Sequence, residues 1–285
     1  MISTNNHSLP EAMYNLLSRS GRKPVRREYH VTQLIGSPLQ RILSMQHWDE
    51  IEEDVSERLW ALLGSSVHYV LERGTPAEAL AEETLRLVVG DADIIGTADL
   101  YQHCAVEDYK VTSVFAFLLG DKPEWEAQLN IYAAMYRHMG FAVDDLCINA
   151  ILRDWQKSKS LRDPDYPKIP FQRVAVPLWG EDEARTFIAD RVALHKAAED
   201  TMTAPCCTDD ERWARPTTFA VIKKGNKRAA RVLDTYEAAV EWVENNMKGH
   251  APTIEERPGS YIKCESYCSV RSVCEHNPYR LTTPR

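Results

Sequence analysis

The sequence predicts an α/β domain followed by a cysteine-bearing C-terminal subdomain, and three observations carry that prediction. Three β-rich runs follow one another, at residues 85–89, 94–101 and 105–112, separated by turn signals at Gly90-Asp91 and His103-Cys104. Segments of helical spacing flank them: Leu59, Leu63, Val67, Val70 and Leu71 before, and Trp125, Leu129, Tyr132, Ala133 and Tyr136 after. From Thr203 onward the character changes, with Cys206-Cys207 and then Cys264, Cys268 and Cys274.

In chain order, residues 1–28 read as a short N-terminal helix (10–18) and a basic linker. Residues 29–200 read as the main domain, and residues 201–285 as a cysteine-rich subdomain expected to pack on it. Ser37-Pro38 is a helix start, with a capping residue followed by proline in the first turn. Residues 54–73 predict one amphipathic helix. Gly64 inside it costs about 1 kcal/mol against alanine, so a close backbone approach is expected there. Residues 77–85 read as short helical or mixed, 143–152 as a strand, 156–170 as a polar loop, 174–178 as a strand and 181–199 as a helix. In the C-terminal part, strands at 218–223 and 227–233 are expected to turn at Lys224-Gly225-Asn226, ahead of a helix at 235–247.

Hydrophobic residues make up 44% of the 285 and charged residues 27%, a soluble globular composition. No apolar run approaches the roughly 20 residues of a membrane span. The first residues show no basic flank leading into an apolar core, so a cytoplasmic protein without membrane contact is expected. A net charge of −8 argues against broad, non-specific wrapping of nucleic acid. Local fields follow local patches, and two basic ones exist, at 19–27 and 223–231. Of seven cysteines, Cys104 and Cys147 lie in apolar surroundings and read as plain buried residues. The rest are clustered, which in a cytosolic chain points to metal rather than disulfides.

The candidate chemistry centres on residues 106–132. A strand has a side-chain period of two, so Asp108 and Lys110 share a face while Glu107 points the other way. A two-residue loop at His103-Cys104 would set Gln102 across from Ala105 and Asp99 across from Asp108, with Cβ atoms about 5 Å apart. Two such carboxylates repel, and one takes up a proton unless a divalent cation resolves the conflict. Gln128 and Tyr132 lie four apart on one helix face, and His68 lies one turn beyond Gly64. Phosphodiester hydrolysis needs a metal to bridge phosphate and water and a positive charge for the transition state. Asp99 and Asp108 are the candidate ligands, with His68 a further one that shifts preference from Mg2+ toward Mn2+. Lys110 is the candidate for orienting water or meeting the phosphate, with Gln128 and Tyr132 supporting it. Taken singly, His68 also fits a core histidine, Asp99 a turn residue and Asp108–Lys110 a surface pair. Asp154-Trp155 reads as structural.

Gly64-x3-His68, Gly96-Thr97-Ala98-Asp99, Asp108-Tyr109-Lys110 and Gln128-x3-Tyr132 together resemble the PD-(D/E)xK nuclease superfamily, and most of all its RecB-like branch. That branch includes CRISPR-adaptation nucleases and phage-encoded exonucleases. The resemblance covers residues 29–155. It implies a restriction-endonuclease-like core, a central mixed β-sheet flanked by helices. It also implies a Mg2+- or Mn2+-dependent deoxyribonuclease, an exonuclease acting on ends or single strands in phage or mobile-element DNA recombination. The expected partners are DNA and a recombination protein. A catalytically weak module that holds DNA ends is the alternative, and an RNA-directed nuclease a remoter one. The tail Cys264-x3-Cys268-x5-Cys274 is similar to the cysteine tail of iron–sulfur members, with one extra residue in its first gap. Where those members carry a further cysteine before the core, this chain has Ser37. Cys207 is the preferred fourth ligand, with Cys206 and His276 as alternatives. The group held is a [4Fe–4S] cluster, structural zinc or no metal at all.

Overall fold

Gly90 adopts φ +63° and closes the hairpin that begins the main sheet. With Asp91 it forms a two-residue turn between strands Leu80–Val89 and Ala92–Gln102, closed by the pair Val89–Ala92. Positive φ at this position favours glycine. The computed structural model describes residues 1–18, 21–120, 122–247 and 251–280. They divide into two units, Met1–Ala204 and Pro205–Arg285. No described helix is long and apolar enough to cross a membrane.

The first unit holds a six-stranded mixed sheet flanked by helices. Strand Ala92–Gln102 pairs antiparallel with Leu80–Val89 along one edge. Its other edge is shared by Glu28–His30, parallel, and Ala105–Thr112, antiparallel. Asp145–Leu152 then adds parallel, and Phe171–Val176 antiparallel at the sheet's end. Exposure alternates along Phe171–Val176, as an edge strand with one wetted face requires. It begins three residues earlier than the sequence reading placed it, because its register is set by pairing with Asp145–Leu152.

Helix Pro123–His138 is the centre of the core. Leu129, Ile131, Met135 and Tyr136 are fully buried, so the helix is covered on more than its sheet-facing stripe. Asn130 is buried with them because its amide is satisfied. It donates to the carbonyls of Glu126 and Pro177 and accepts from the Trp179 N–H. Helix Glu181–Thr201 carries the buried Glu199, which pairs with the buried Arg41 at 3.0 Å. Arg27 donates its backbone N–H to the same carboxylate.

Several expectations are corrected. The strand read over 85–89 begins already at Leu80, so residues 80–84 are strand rather than helical or mixed, since pairing with Ala92–Gln102 overrides local propensity. The helix read over 54–73 starts only at Leu59, after a short strand Glu52–Asp54 and a 3-10 turn Val55–Arg58. Asp54 accepts from Ser56 N–H, Asn6 N–H and the Thr4 hydroxyl. Burial pushes its carboxyl up, but those bonds outweigh it and hold it well below the usual carboxylate range. Gly64 is not closely approached, for a Cβ there would meet nothing within 4 Å. Gly96 is the crowded one, where a Cβ would lie 2.5 Å from Tyr132 Cε1 and 2.6 Å from Val31 Cγ2. Of the first basic patch, Arg19 lies outside the described residues, and Arg22, Arg26 and Arg27 are engaged by carboxylates. Cys104 is only half-buried, in the hairpin turn at φ +60°. Cys147 is buried but not in a plain apolar site, since Arg173 Nε donates to its sulfur at 3.0 Å.

The second unit has a three-stranded antiparallel sheet, Arg231–Leu233, Thr218–Ile222 and Thr253–Arg257 in spatial order. Helix Tyr236–Asn246 packs Ala239 and Trp242 on Val221 and Ile254. The hairpin turn is longer than the sequence suggested, with residues 227–230 outside the strand. A two-residue ladder joins Ala214–Arg215 to Ser260–Tyr261, and a π-helical turn spans Lys263–Tyr267.

Candidate metal centre

The site forms where a β-ladder stops. Strands Ala92–Gln102 and Ala105–Thr112 pair at Gln102–Ala105, Tyr101–Val106 and Leu100–Glu107, and no further. Asp99 and Asp108 are next in that register. Instead of a ladder bond, Asp99 Oδ2 accepts the Tyr109 N–H at 2.7 Å. Glu28–His30 reaches only Asp93–Ile95 on the same edge, so Gly96–Asp99 line a notch between the two partners. Lacking a Cβ, Gly96 lets Tyr132 close in on it.

Helix Leu59–Glu72 brings His68 to the notch. Its Nε2 is 3.2 Å from the Tyr109 carbonyl, and its Nδ1 is 3.2 Å from Glu82 Oε1 and 3.4 Å from Asp99 Oδ1. The bond from Asp99 is the main cause that raises His68 to about 9, against burial and with Glu82 helping. His68, Glu82 and Asp99 hold one ligand atom each within 4.8 Å of one another. It is the only such His/Cys/Asp/Glu trio among the described residues. A divalent cation would replace the proton that the imidazole otherwise keeps.

Asp108 sits beside this trio. It is 1% exposed, and its Oδ2 is held by the Lys110 ammonium, with Nζ 2.6 Å away. Burial pushes the Asp108 carboxyl up, while the Lys110 ammonium pulls it back. Lys110 donates to Gln128 Oε1 at 3.2 Å, and Gln128 donates to Asp108 Oδ1 at 3.2 Å. Gln128 also donates to the Tyr132 hydroxyl at 3.5 Å. Burial pushes that phenol to about 12, so it stays a neutral hydroxyl.

The structure thus brings together all six residues singled out on the main domain: His68, Asp99, Asp108, Lys110, Gln128 and Tyr132. Glu82 is the one the sequence reading missed. Seven steps back from the Val89–Ala92 closing pair, the hairpin register sets position 82 across from Asp99. Reading the segment as helical or mixed hid that. Glu82 has φ +53°, a left-handed conformation rare outside glycine, and the ladder skips it while keeping register on both sides. Glu107 points to the opposite face, where it is buried and paired.

In the second unit, Cys207, Cys264 and Cys268 are half-buried, Cys274 buried, and Cys206 and His276 exposed. Among the described residues none of these five cysteines is in a disulfide, and burial pushes Cys268 up to about 11, with Cys264 and Cys207 adding to it. Cys264 in turn is raised by burial and by Cys207, Cys274 and Cys206. The sulfurs are therefore neighbours. Among the described residues no three of these sulfurs lie within 4.8 Å of one another, as the ligand atoms of His68, Glu82 and Asp99 do.

No protein-family model matches the chain, and no curated protein matches it. Among solved structures it is similar to the protein SSO0001, with 20% identity, 64% of this chain and 83% of that chain covered, and a TM-score of 0.42. It is also similar to a phage related exonuclease from Haemophilus somnus 129PT, with 15% identity, 59% and 73% covered, and a TM-score of 0.32. Both likenesses are too distant to carry an argument about activity, so the function rests on the site itself.

Proposed function

We propose that the chain is a metal-dependent DNA nuclease of the RecB-like PD-(D/E)xK kind, with a restriction-endonuclease-like core. The observation that carries this is the meeting of a cation-ready trio, His68, Glu82 and Asp99, with the buried Asp108 and the Lys110 ammonium paired to it at 2.6 Å. His68, Asp99 and Asp108, with the Tyr109 carbonyl beside them, would hold Mg2+ or Mn2+. That ion, when bound, supplies Lewis-acid activation of the phosphate and of the attacking water. Lys110, held by Asp108 and Gln128, presents its ammonium to the charge that builds on phosphorus when the water oxygen bonds and the ester oxygen leaves. Gln128 fixes Lys110 and Asp108 relative to each other, and Tyr132 braces Gln128 from the next turn.

The resemblance in sequence adds the finer reading: action on ends or single strands, in phage or mobile-element recombination, with DNA and a recombination protein as partners. The resemblance of the cysteine tail also proposes a structural [4Fe–4S] cluster or zinc on Cys207, Cys264, Cys268 and Cys274, which would stabilise the Cys264 and Cys268 thiolates that burial disfavours. Purified protein should cleave DNA with Mg2+ or Mn2+ and stop in EDTA. Lys110→Ala and Asp108→Ala should abolish cleavage. Intact DNA of every form with both metals, or full activity in either variant, sinks the proposal. Anaerobic purification with iron and zinc analysis tests the cysteine site.

A further inference from the structure

Gly64 poses a problem that the fold does not solve. It lies inside helix Leu59–Glu72, where glycine weakens a helix. Such a glycine usually allows something to approach the backbone closely. Yet a Cβ at Gly64 would meet nothing within 4 Å, although the residue is half-buried. The space beside it is open.

That space has defined ends. Trp60, Gly64 and His68 are spaced at i, i+4 and i+8, so they share one face of the helix. At one end His68 reaches Asp99, Glu82 and the Tyr109 carbonyl of the candidate metal centre. At the other, the Trp60 indole is 63% exposed, and the Arg153 guanidinium lies 4.3 Å from its ring centroid. An exposed aromatic ring with an arginine on it is what single-stranded nucleic acid uses: a surface for a base and a charge for a phosphate.

We propose that the gap over Gly64 is the seat of the nucleotide next to the scissile phosphate. One base of a single strand stacks on Trp60, Arg153 meets its phosphate, and the backbone passes over Gly64 to the metal centre. The inference rests on the nuclease reading for the identity of the strand. It predicts that Gly64 trades stability for substrate access.

The test is fluorescence anisotropy of a labelled single-stranded DNA oligonucleotide in EDTA, with melting temperature and sedimentation mass measured on the same full-length proteins. Gly64→Ala should melt higher than the native protein, because nothing in the fold opposes the methyl group, and yet bind the oligonucleotide more weakly. Trp60→Ala should weaken binding at least fivefold, and Trp60→Phe should restore most of it. Arg153→Ala should weaken binding and flatten its salt dependence. Native affinity in Gly64→Ala and Trp60→Ala overturns the proposal. So does a change of sedimentation mass in Trp60→Ala with binding unchanged, which would mean that a second copy covers this face. Because binding is read without metal, loss of the nuclease reading through an active Lys110→Ala protein would leave this result separately legible.

Discussion

Glu107 and Asp108 are neighbours on one strand and both are buried acids, but they are treated oppositely. Glu107 is 5% exposed and accepts from Asn149 at 2.6 Å, from Arg173 at 2.9 Å and from Gln102 at 3.4 Å. Asp108 is 1% exposed, paired with Lys110 at 2.6 Å through Oδ2 and accepting from Gln128 at 3.2 Å through Oδ1. The alternation of the strand sends the first into a closed network and the second into the notch where the ladder ends. A satisfied buried charge rigidifies the sheet. Asp108 instead is paired with Lys110 beside the cation-ready trio of the candidate metal centre.

The largest test of that contrast is kinetic. Lys110→Met should lower kcat by about 10²- to 10³-fold with the fold intact, as loss of one transition-state charge typically does. Circular dichroism melts alongside cleavage rates check both halves. A variant that loses activity only because it unfolds would erase the distinction between the two acids.

His195 sharpens the comparison from another side. It has a buried unpartnered atom, Nδ1, while Nε2 donates to the Leu34 carbonyl at 3.1 Å. Burial, then the nearby Arg191, lowers its pKa from 6.5 to about 4. The folded state therefore refuses a proton that the unfolded chain accepts. Stability should fall as pH drops from about 6.5 to about 4, by roughly 3 kcal/mol in all, and this loss should be missing in His195→Leu. Denaturant melts of both proteins at pH 7, 5 and 4 would show it; parallel curves would refute it. Here an orphaned atom means a pH-sensitive core, because no cluster of ligands surrounds it.

Glu107→Ala should cost about 1–3 kcal/mol, because it strands the buried Asn149 amide, while kcat per folded molecule stays unchanged. A kcat that falls with stability held would move Glu107 into the site. Gly96→Ala should cost about 1 kcal/mol or somewhat more through contact with Tyr132 and Val31. It should also lower activity several-fold by displacing Tyr132 from Gln128, a pairing of effects that melts and rates together would reveal.

Much of this was legible beforehand because it depends on short periods. The strand period places Asp108 and Lys110 together, the helix period places Gln128 with Tyr132 and His68 one turn beyond Gly64, and the two-residue turn at His103-Cys104 fixes Gln102 across from Ala105. These are local rules, so the residues alone determined which side chains gather at the candidate site and in what order they lie along the chain. Glu82 was not legible, since its left-handed backbone and its place opposite Asp99 follow from a hairpin pairing that local propensity contradicts. Nor could spacing distinguish the two glycines: only packing shows Gly96 pressed by Tyr132 and Gly64 facing open space. Tertiary structure decided where the ladder stops, which acid joins the Asn149–Arg173 network and which lies beside the cation-ready trio, because those outcomes depend on contacts between segments far apart in sequence.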